Sequence, residues 1–285
     1  MWEIGVLRGS APGALLPGAG GMNPVLTAAD VTDIEAEFVA DPFMLRKGDQ
    51  WHLFFEVLRK ADKRGEIGLA TSHDAVHWNY ERIVLREEFH LSYPHVFEWE
   101  GHYYMIPETL GADEVRLYES AAFPFDWRFK TGLIPGRFAD PTIFRHDDHW
   151  WMFVCGNPHR HDSLRLFGAP ELEGPWTEHP CSPLVTADRR FARPAGRVTS
   201  YDGRLLRFAQ DCSTEYGSRV WAFEILRLDA SHYEECPFLL EPVLGADRFG
   251  EWPTSRMHHL DHHRQFSGEW IACVDGWRAN SQSRA

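Results

Sequence analysis

Apolar residues along this chain fall into short runs broken by polar turns, and one arrangement of runs returns at intervals of about fifty residues. It opens on a proline. The first copy reads Asp41-Pro42-Phe43-Met44-Leu45, a polar turn, then Trp51-His52-Leu53-Phe54-Phe55-Glu56. The second reads Tyr93-Pro94-His95-Val96-Phe97, Glu100-Gly101, then His102-Tyr103-Tyr104-Met105-Ile106-Pro107-Glu108. The third reads Asp140-Pro141-Thr142-Ile143-Phe144, Asp147-Asp148, then His149-Trp150-Trp151-Met152-Phe153-Val154. The fourth starts at Arg193-Pro194-Ala195-Gly196-Arg197-Val198, turns at Asp202-Gly203 and continues through Arg204-Leu205-Leu206-Arg207-Phe208-Ala209. A weaker fifth has His258-His259-Leu260, a turn near Ser267-Gly268 and Glu269-Trp270-Ile271-Ala272-Cys273-Val274.

Each copy predicts strand, tight turn, strand, because Asp-Gly, Glu-Gly and Ser-Gly supply the positive φ that hairpin turns need. A third strand follows in most copies, for example Glu66–Ala70 and Glu114–Tyr118, and a fourth is expected to end near Trp78, Trp127 and Trp176. Four-stranded units at this spacing predict an all-β, five-bladed β-propeller, in which each unit buries its faces against its neighbours. The pattern treats residues 1–285 as one such domain. The strand at Trp2–Leu7 is expected to close the ring by completing the last blade, and Ala28–Ala36 to form a short helical turn.

Composition narrows the function. The chain has 285 residues, a formal charge of −13, and 14% aromatic residues that include 12 Trp and 19 Phe. The negative charge argues against a nucleic-acid partner. No apolar run approaches the ~18 residues of a membrane span. Met1-Trp2-Glu3-Ile4-Gly5 has neither a basic start nor an apolar stretch, so no signal peptide is expected and a cytoplasmic location follows. Five cysteines without a CxxC pair give no zinc knuckle, and neither a cofactor nor a metal is expected.

The start of each innermost strand faces one mouth of a propeller's axis. Aligning the prolines puts Asp41, Tyr93, Asp140, Arg193 and one of His258 or His259 there. Buried carboxylates are costly unless paired or wet, so Asp41 and Asp140 point to a shared polar hollow. Glu108 and Glu56 end the second strands of their units, and Asp211 and Asp275 are their counterparts in the fourth and fifth; Asp275-Gly276 reads mainly as a turn. Two carboxyl groups across a sugar linkage cleave it, one giving a proton and the other activating water or attacking. Asp41, Asp140 and Glu108 are therefore the candidate catalytic residues. His90, Tyr93, Glu56, Arg193, Arg197, Asp211 and His259 are candidates for substrate binding. Arg193 and Arg197 suit a carboxylate or phosphate, or neutralise the acids. His146, His149, His159 and His161 flank turns and are expected at the surface. Neighbouring His residues on a strand point to opposite faces, so at most one of His258 and His259 should face the axis.

Ala40-Asp41-Pro42-Phe43, Phe89-His90-Leu91-Ser92-Tyr93-Pro94, Met105-Ile106-Pro107-Glu108 and Ala139-Asp140-Pro141-Thr142 resemble the N-terminal domain of plant glucosamine inositolphosphorylceramide transferases and its stand-alone bacterial relatives. Asn23-Pro24-Val25-Leu26-Thr27 and Arg193-Pro194-Ala195-Gly196 fit too. That domain is similar to the five-bladed propellers of glycoside hydrolase families 43, 32 and 68. The resemblance implies that Asp41 is base or nucleophile and that Asp140 tunes the acid. It also places Arg193 where family 43 carries its acid in a Glu-Gly-Pro motif, which leaves Glu108 as the substitute acid. Three readings stay open: a glycoside hydrolase or transglycosidase; a non-catalytic glycan-binding module supporting a glycosyltransferase partner; and a protein-interaction propeller. The first two take a carbohydrate or glycoconjugate as ligand.

Overall fold

The computed structural model describes residues 1–17, 23–246, 252 and 254–279. Five antiparallel sheets follow one another along the chain and form the five blades of a β-propeller. The first blade runs outward from Ala36–Lys47 through Gln50–Arg59 and Gly65–Ser72 to Asn79–Leu85. The second contains Ser92–Trp99, His102–Glu108, Glu114–Ala122 and Phe125–Pro135. The third contains Ala139–His146, His149–Cys155, Ser163–Ala169 and Thr177–Glu178. In the fourth the inner strand is broken into Arg193–Pro194 and Thr199–Tyr201, followed by Arg204–Asp211, Arg219–Leu228 and Tyr233–Pro237. The fifth opens with Leu260–Arg264 and Trp270–Trp277. The N-terminal strand Trp2–Gly9 then pairs antiparallel with Trp270–Trp277, so the start of the chain closes the ring.

The apolar residues explain the ring. Five buried clusters each lie between two neighbouring blades. Phe54 and Leu69 of the first blade meet Met105, Tyr118 and Trp127 of the second, while Ile4 and Ile271 of the fifth meet Val39 and Leu53 of the first. Both faces of each blade are covered, so the strands read as nearly continuous apolar runs rather than as an alternation. The hairpin turns take the expected conformation. Asp147 and Asp148 both have positive φ (47° and 57°), as do Asp202 and Gly203 (48° and 76°).

Two expectations about the chain path are corrected. Within Ala28–Ala36 the helical turn is confined to Ala28–Asp30, a 3-10 turn capped reciprocally by Thr27 and Asp30, and a strand begins at Ala36. The tryptophans lie at the beginning of the outer strands rather than at their ends: Asn79 follows Trp78, Trp127 is the third residue of Phe125–Pro135, and Thr177 follows Trp176. Each follows a polar turn, and its ring covers the edge of a cluster between blades, as Trp127 does. Among the described residues no helix is long and apolar enough to cross a membrane.

Candidate functional site

Three blades carry the same local distortion at the axis. The ladder between first and second strands slips between Ala40 and Phe43, between Ser92 and His95, and between Ala139 and Thr142. The skipped pair is in each case X-Pro, and X is left-handed: Asp41 φ 52°, Tyr93 φ 48°, Asp140 φ 52°. Proline has no N–H to lose from a ladder, so it suits a bulge, and a bulge re-aims the side chain before it. The proline repeat in the sequence is thus a bulge repeat.

The acids at these bulges bond to the neighbouring blade. The Asp140 N–H donates to Glu108 Oε2 (3.3 Å), and the Asp41 N–H donates to Asp275 Oδ2 (3.0 Å). Glu108 ends the second strand of its blade, and Asp275 lies near the end of Trp270–Trp277. The ladder pairs Ala40 with Glu56, Ser92 with Glu108, Ala139 with Cys155 and Arg193 with Gln210, and Asp275 lies one step beyond the Leu260–Val274 pair. Glu56, Glu108, Cys155, Gln210 and Asp275 therefore occupy equivalent places around the axis. The fourth blade corrects the alignment by prolines. It has no bulge at Pro194, so Arg193 matches Ala40 and Ala139 rather than Asp41, and Gln210 takes the place expected for Asp211.

Arg193 grips Asp140 with two bonds, Nε to Oδ2 at 2.5 Å and Nη2 to Oδ1 at 3.1 Å, and Nη2 lies 3.5 Å from Glu108 Oε2. Its Nη1 bonds the Pro158 carbonyl (3.3 Å) and His161 Nδ1 (3.0 Å). All three guanidinium nitrogens are thus engaged within the protein. Gln210 Nε2 adds a donor to Asp140 Oδ2 at 2.8 Å. His161, expected at the surface, is partly buried beside Arg193; burial and then that positive charge lower its pKa to about 4.

Burial, and next the Asp140 charge, raise the Glu108 pKa to about 7 against the opposing pull of Arg193 and His90. Burial also raises Asp41 well above the usual carboxylate range, helped by the charges of Glu56, Asp275 and Asp140. Asp41 thus feels the charges of both Asp140 and Arg193. Glu56 lies 3.3 Å from His90 Nε2, and the Gly65 N–H donates to His90 Nδ1 at 2.9 Å. Burial works against a charge on His90, yet the Glu56 bond and charge outweigh it and raise its pKa. The Gly65 donor fixes the neutral tautomer with Nε2–H toward Glu56.

Tyr93, Arg197 and Asp211 are placed differently. The buried Tyr93 hydroxyl accepts the Gly196 N–H (2.7 Å) and bonds Thr142 Oγ1 (2.7 Å), tying three blades together. Gly196 has φ +125°, and a Cβ there would fall 1.8 Å from the Leu260 carbonyl oxygen. Arg197 donates to Asp261 Oδ1 (2.7 Å) and to the Val96 carbonyl (2.8 Å). Asp211 accepts from the Ser213 N–H (3.0 Å), the Ser213 hydroxyl (2.6 Å) and Trp221 Nε1 (3.2 Å), which anchors the following loop. That loop carries Tyr216, a half-buried ring with Arg193, His161 and His258 each about 5.2 Å away.

His258 and His259 both approach Asp41, at 3.7 Å and 3.9 Å from Oδ1. The expectation that only one faces inward fails because they precede strand Leu260–Arg264. Both of their N–H groups bond Asp275 Oδ1 (3.1 Å each), so pleat alternation does not apply. Asp275 is a buried bracket rather than a turn residue. Burial opposes its charge, but His258 outweighs this and lowers its pKa. Asp41, His258 and Asp275 each place one potential metal-ligand atom within 4.8 Å of the others. Gln210, His161, Tyr216 and the His258–Asp275 pair are site features that the proline alignment did not reveal. Counting along the second strand from each hairpin turn would have found Gln210, since it follows Arg204 at the spacing by which Glu108 follows His102. The others depend on loop paths.

The family described as glucosamine inositolphosphorylceramide transferase 1, N-terminal, matches residues 1–277. Glucosamine inositolphosphorylceramide transferase 1 of Oryza sativa subsp. japonica is 35% identical over 300 residues, covering 98% of this chain and 40% of the rice protein. The Arabidopsis thaliana protein of the same name is 35% identical over 306 residues, covering 98% and 39%. The chain thus spans about 40% of the length of these curated relatives. Among solved structures, a family 43 beta-xylosidase/alpha-arabinofuranosidase from a compost microbial metagenome superposes with TM-score 0.63 at 14% identity, over 90% of this chain and 88% of the other. The catalytic domain of the Coprinopsis cinerea family 62 alpha-L-arabinofuranosidase gives TM-score 0.62 at 11% identity, over 84% and 90%. At these identities the likeness is one of fold.

Proposed function

This chain belongs to the glucosamine inositolphosphorylceramide transferase 1 N-terminal family, and from that premise we propose that its axial site binds a glycosyl group and cleaves or transfers it with Glu108 as proton donor. The observation that carries this reading is the Glu108–Asp140–Arg193 arrangement. Arg193 and Gln210 hold Asp140 in place, and the Asp140 charge and burial keep a proton on Glu108 up to a pH of about 7. A carboxylic acid that retains its proton near neutrality is what departure of a sugar oxygen requires. Asp41, on the side of Asp275 and His258, supplies the second carboxyl group. His90, Glu56 and Tyr216 are the proposed contacts for the ring.

In this mechanism the glycosidic oxygen accepts the Glu108 proton as the bond to the anomeric carbon breaks. Water, or a sugar hydroxyl in transfer, completes the new bond and loses its proton to Asp41, which acts only in its ionised form, the form that burial and the neighbouring acids disfavour. A direct attack by Asp41, followed by hydrolysis of the ester, balances equally well.

A second reading is favoured by one observation. Arg193, which the sequence resemblance puts in the place of the family 43 acid, has all three guanidinium nitrogens committed to the protein, which suits a module that binds a glycan and presents it to a separate glycosyltransferase. Aryl glycosides and oligosaccharides, including 2-amino-2-deoxy sugars, separate the two. Release of product by the wild-type chain and its loss in Glu108→Gln support the catalytic reading. Saturable binding with no release transfers the assignment to the binding module.

A further inference from the structure

We propose that a groove between the fifth and first blades is a second carbohydrate subsite, so that the axial site takes the end of an oligosaccharide whose further units lie against Trp277. The inference rests on the glycosyl reading of the axis and adds to it the length of the ligand. The groove has a volume of about 730 Å³, and Trp277, Arg278, Ala28, Ala36, Glu37 and Lys60 are among the residues that line it. That volume lies within the range of small-ligand pockets.

The groove continues the strands that carry the axial acids. Glu37 and Lys60 lie beyond the Ala40–Glu56 pair of the first blade, and Trp277 lies two residues beyond Asp275. Residues two apart on a strand share a face, so Trp277 points the same way as Asp275, whose carboxylate accepts the Asp41 N–H. Trp2 stands directly opposite Trp277 in the ladder. The Trp2 ring lies 5.5 Å from that of Trp277 and 4.0 Å from that of His258, and His258 Nε2 is 3.7 Å from Asp41 Oδ1. Three contacts therefore lead from Asp41 to the wall of the groove.

The lining suits a saccharide. The Arg256 guanidinium sits 4.2 Å from the centre of the Trp277 ring and holds it, while the ring stays partly exposed. Such a ring offers an apolar face to the C–H side of a sugar. Ala28 and Ala36 add little bulk beside it. Both signs of charge are present: Glu37 accepts from Lys63, Arg278 pairs with Glu3, and Lys60 has no side-chain partner among the described residues. Sugar hydroxyls use donors and acceptors alike. An alkyl chain would leave these charges against hydrocarbon, and a phosphate would meet Glu37 as well as Lys60.

The test screens the whole chain on mono- to hexasaccharides of common pentoses, hexoses and 2-amino-2-deoxy sugars, then titrates the strongest series by calorimetry. Affinity should rise with length by roughly 2–10-fold, the scale of one aromatic contact. Trp277→Ala should erase that gain and leave the monosaccharide affinity unchanged. Ala29→Trp fills the groove from an exposed position; it should act in the same way, and it keeps the proposal testable if Trp277→Ala misfolds. Trp99→Ala, at the hairpin end of the second blade, should bind as the parent does. Equal affinity for short and long members, or a gain that survives both Trp277→Ala and Ala29→Trp, overturns the subsite and leaves the axial reading standing. An equal loss for short and long members in both variants does the same. Binding to no member of any series overturns both, and the monosaccharide arm tells the two failures apart.

Discussion

Arg193 holds Asp140 through two nitrogens at 2.5 and 3.1 Å while standing 3.5 Å from Glu108. One cation therefore governs two carboxyl groups from different blades. It pins the first and moderates the proton affinity of the second. The same contact explains why an arginine can occupy this place without disrupting a cluster of acids.

Removing that cation should be expensive. Arg193→Met leaves Asp140 buried without its partner and is expected to cost about 3–5 kcal/mol in denaturant unfolding. Adding Asp140→Asn in the same chain should recover a large part of the loss. Equal stability of Arg193→Met and the parent would mean that the pair is not formed.

Glu108 should make stability depend on pH in a defined direction. Its pKa is raised from 4.5 to about 7 on folding, so the folded state binds the proton more tightly than the unfolded chain. The contribution of this group is full below pH 4.5 and is lost as pH rises to about 7. Glu108→Gln should remove this slope and be more stable than the parent at pH 8, by on the order of 2 kcal/mol. Turnover that needs the Glu108 proton should fall over the same upper range. Parallel stability–pH curves for the two proteins would contradict the assignment.

Tyr93 should matter for folding and little for the ligand. Tyr93→Phe strips the bonds to Gly196 and Thr142 and is expected to cost about 1–3 kcal/mol, because a buried N–H loses its acceptor. Ligand affinity measured on the folded fraction should stay within twofold. A large affinity loss at unchanged stability would instead make Tyr93 a binding residue.

Tyr216 should behave in the opposite way. It is a half-buried ring on a loop, with Arg193 and His258 on either side. Tyr216→Ala should weaken sugar binding by roughly 2–10-fold, the scale of one aromatic contact, and leave the unfolding temperature nearly unchanged. Tyr216→Phe should bind as the parent does. Calorimetric titration of both variants reads the difference.

Much of this was legible before coordinates. Hairpins at Glu100-Gly101 and Asp202-Gly203, apolar runs covered on both faces, and X-Pro openings at Asp41, Tyr93 and Asp140 all follow from local chemistry repeated in step. The bulge at each X-Pro explains why that signal was strong. It fixes proline and the residue before it by backbone geometry, whatever the side chain does. The misplaced residues share one cause, since their positions depend on contacts between blades. In the fourth blade the ladder slips after Pro194 instead of at it, with four residues facing two between the Pro194–Ala209 and Thr199–Leu206 pairs, and Gln210 rather than Asp211 bonds Asp140. His258 and His259 lie just before a strand, where Asp275 and not the pleat sets their direction. Arg197 is matched by Asp261, a partner 64 positions away that no local pattern announces.

The most direct measurement is the dependence of Glu108→Gln turnover on the leaving group, using aryl glycosides whose phenols span a wide acidity range. A proton donor is dispensable when the departing phenol is acidic and indispensable when it is not. The variant should match the parent on the most acidic phenols and lose about 10²–10⁴-fold on the least acidic. A uniform loss across the series, or a parent that binds these sugars and releases nothing, would contradict Glu108 as the acid of this site.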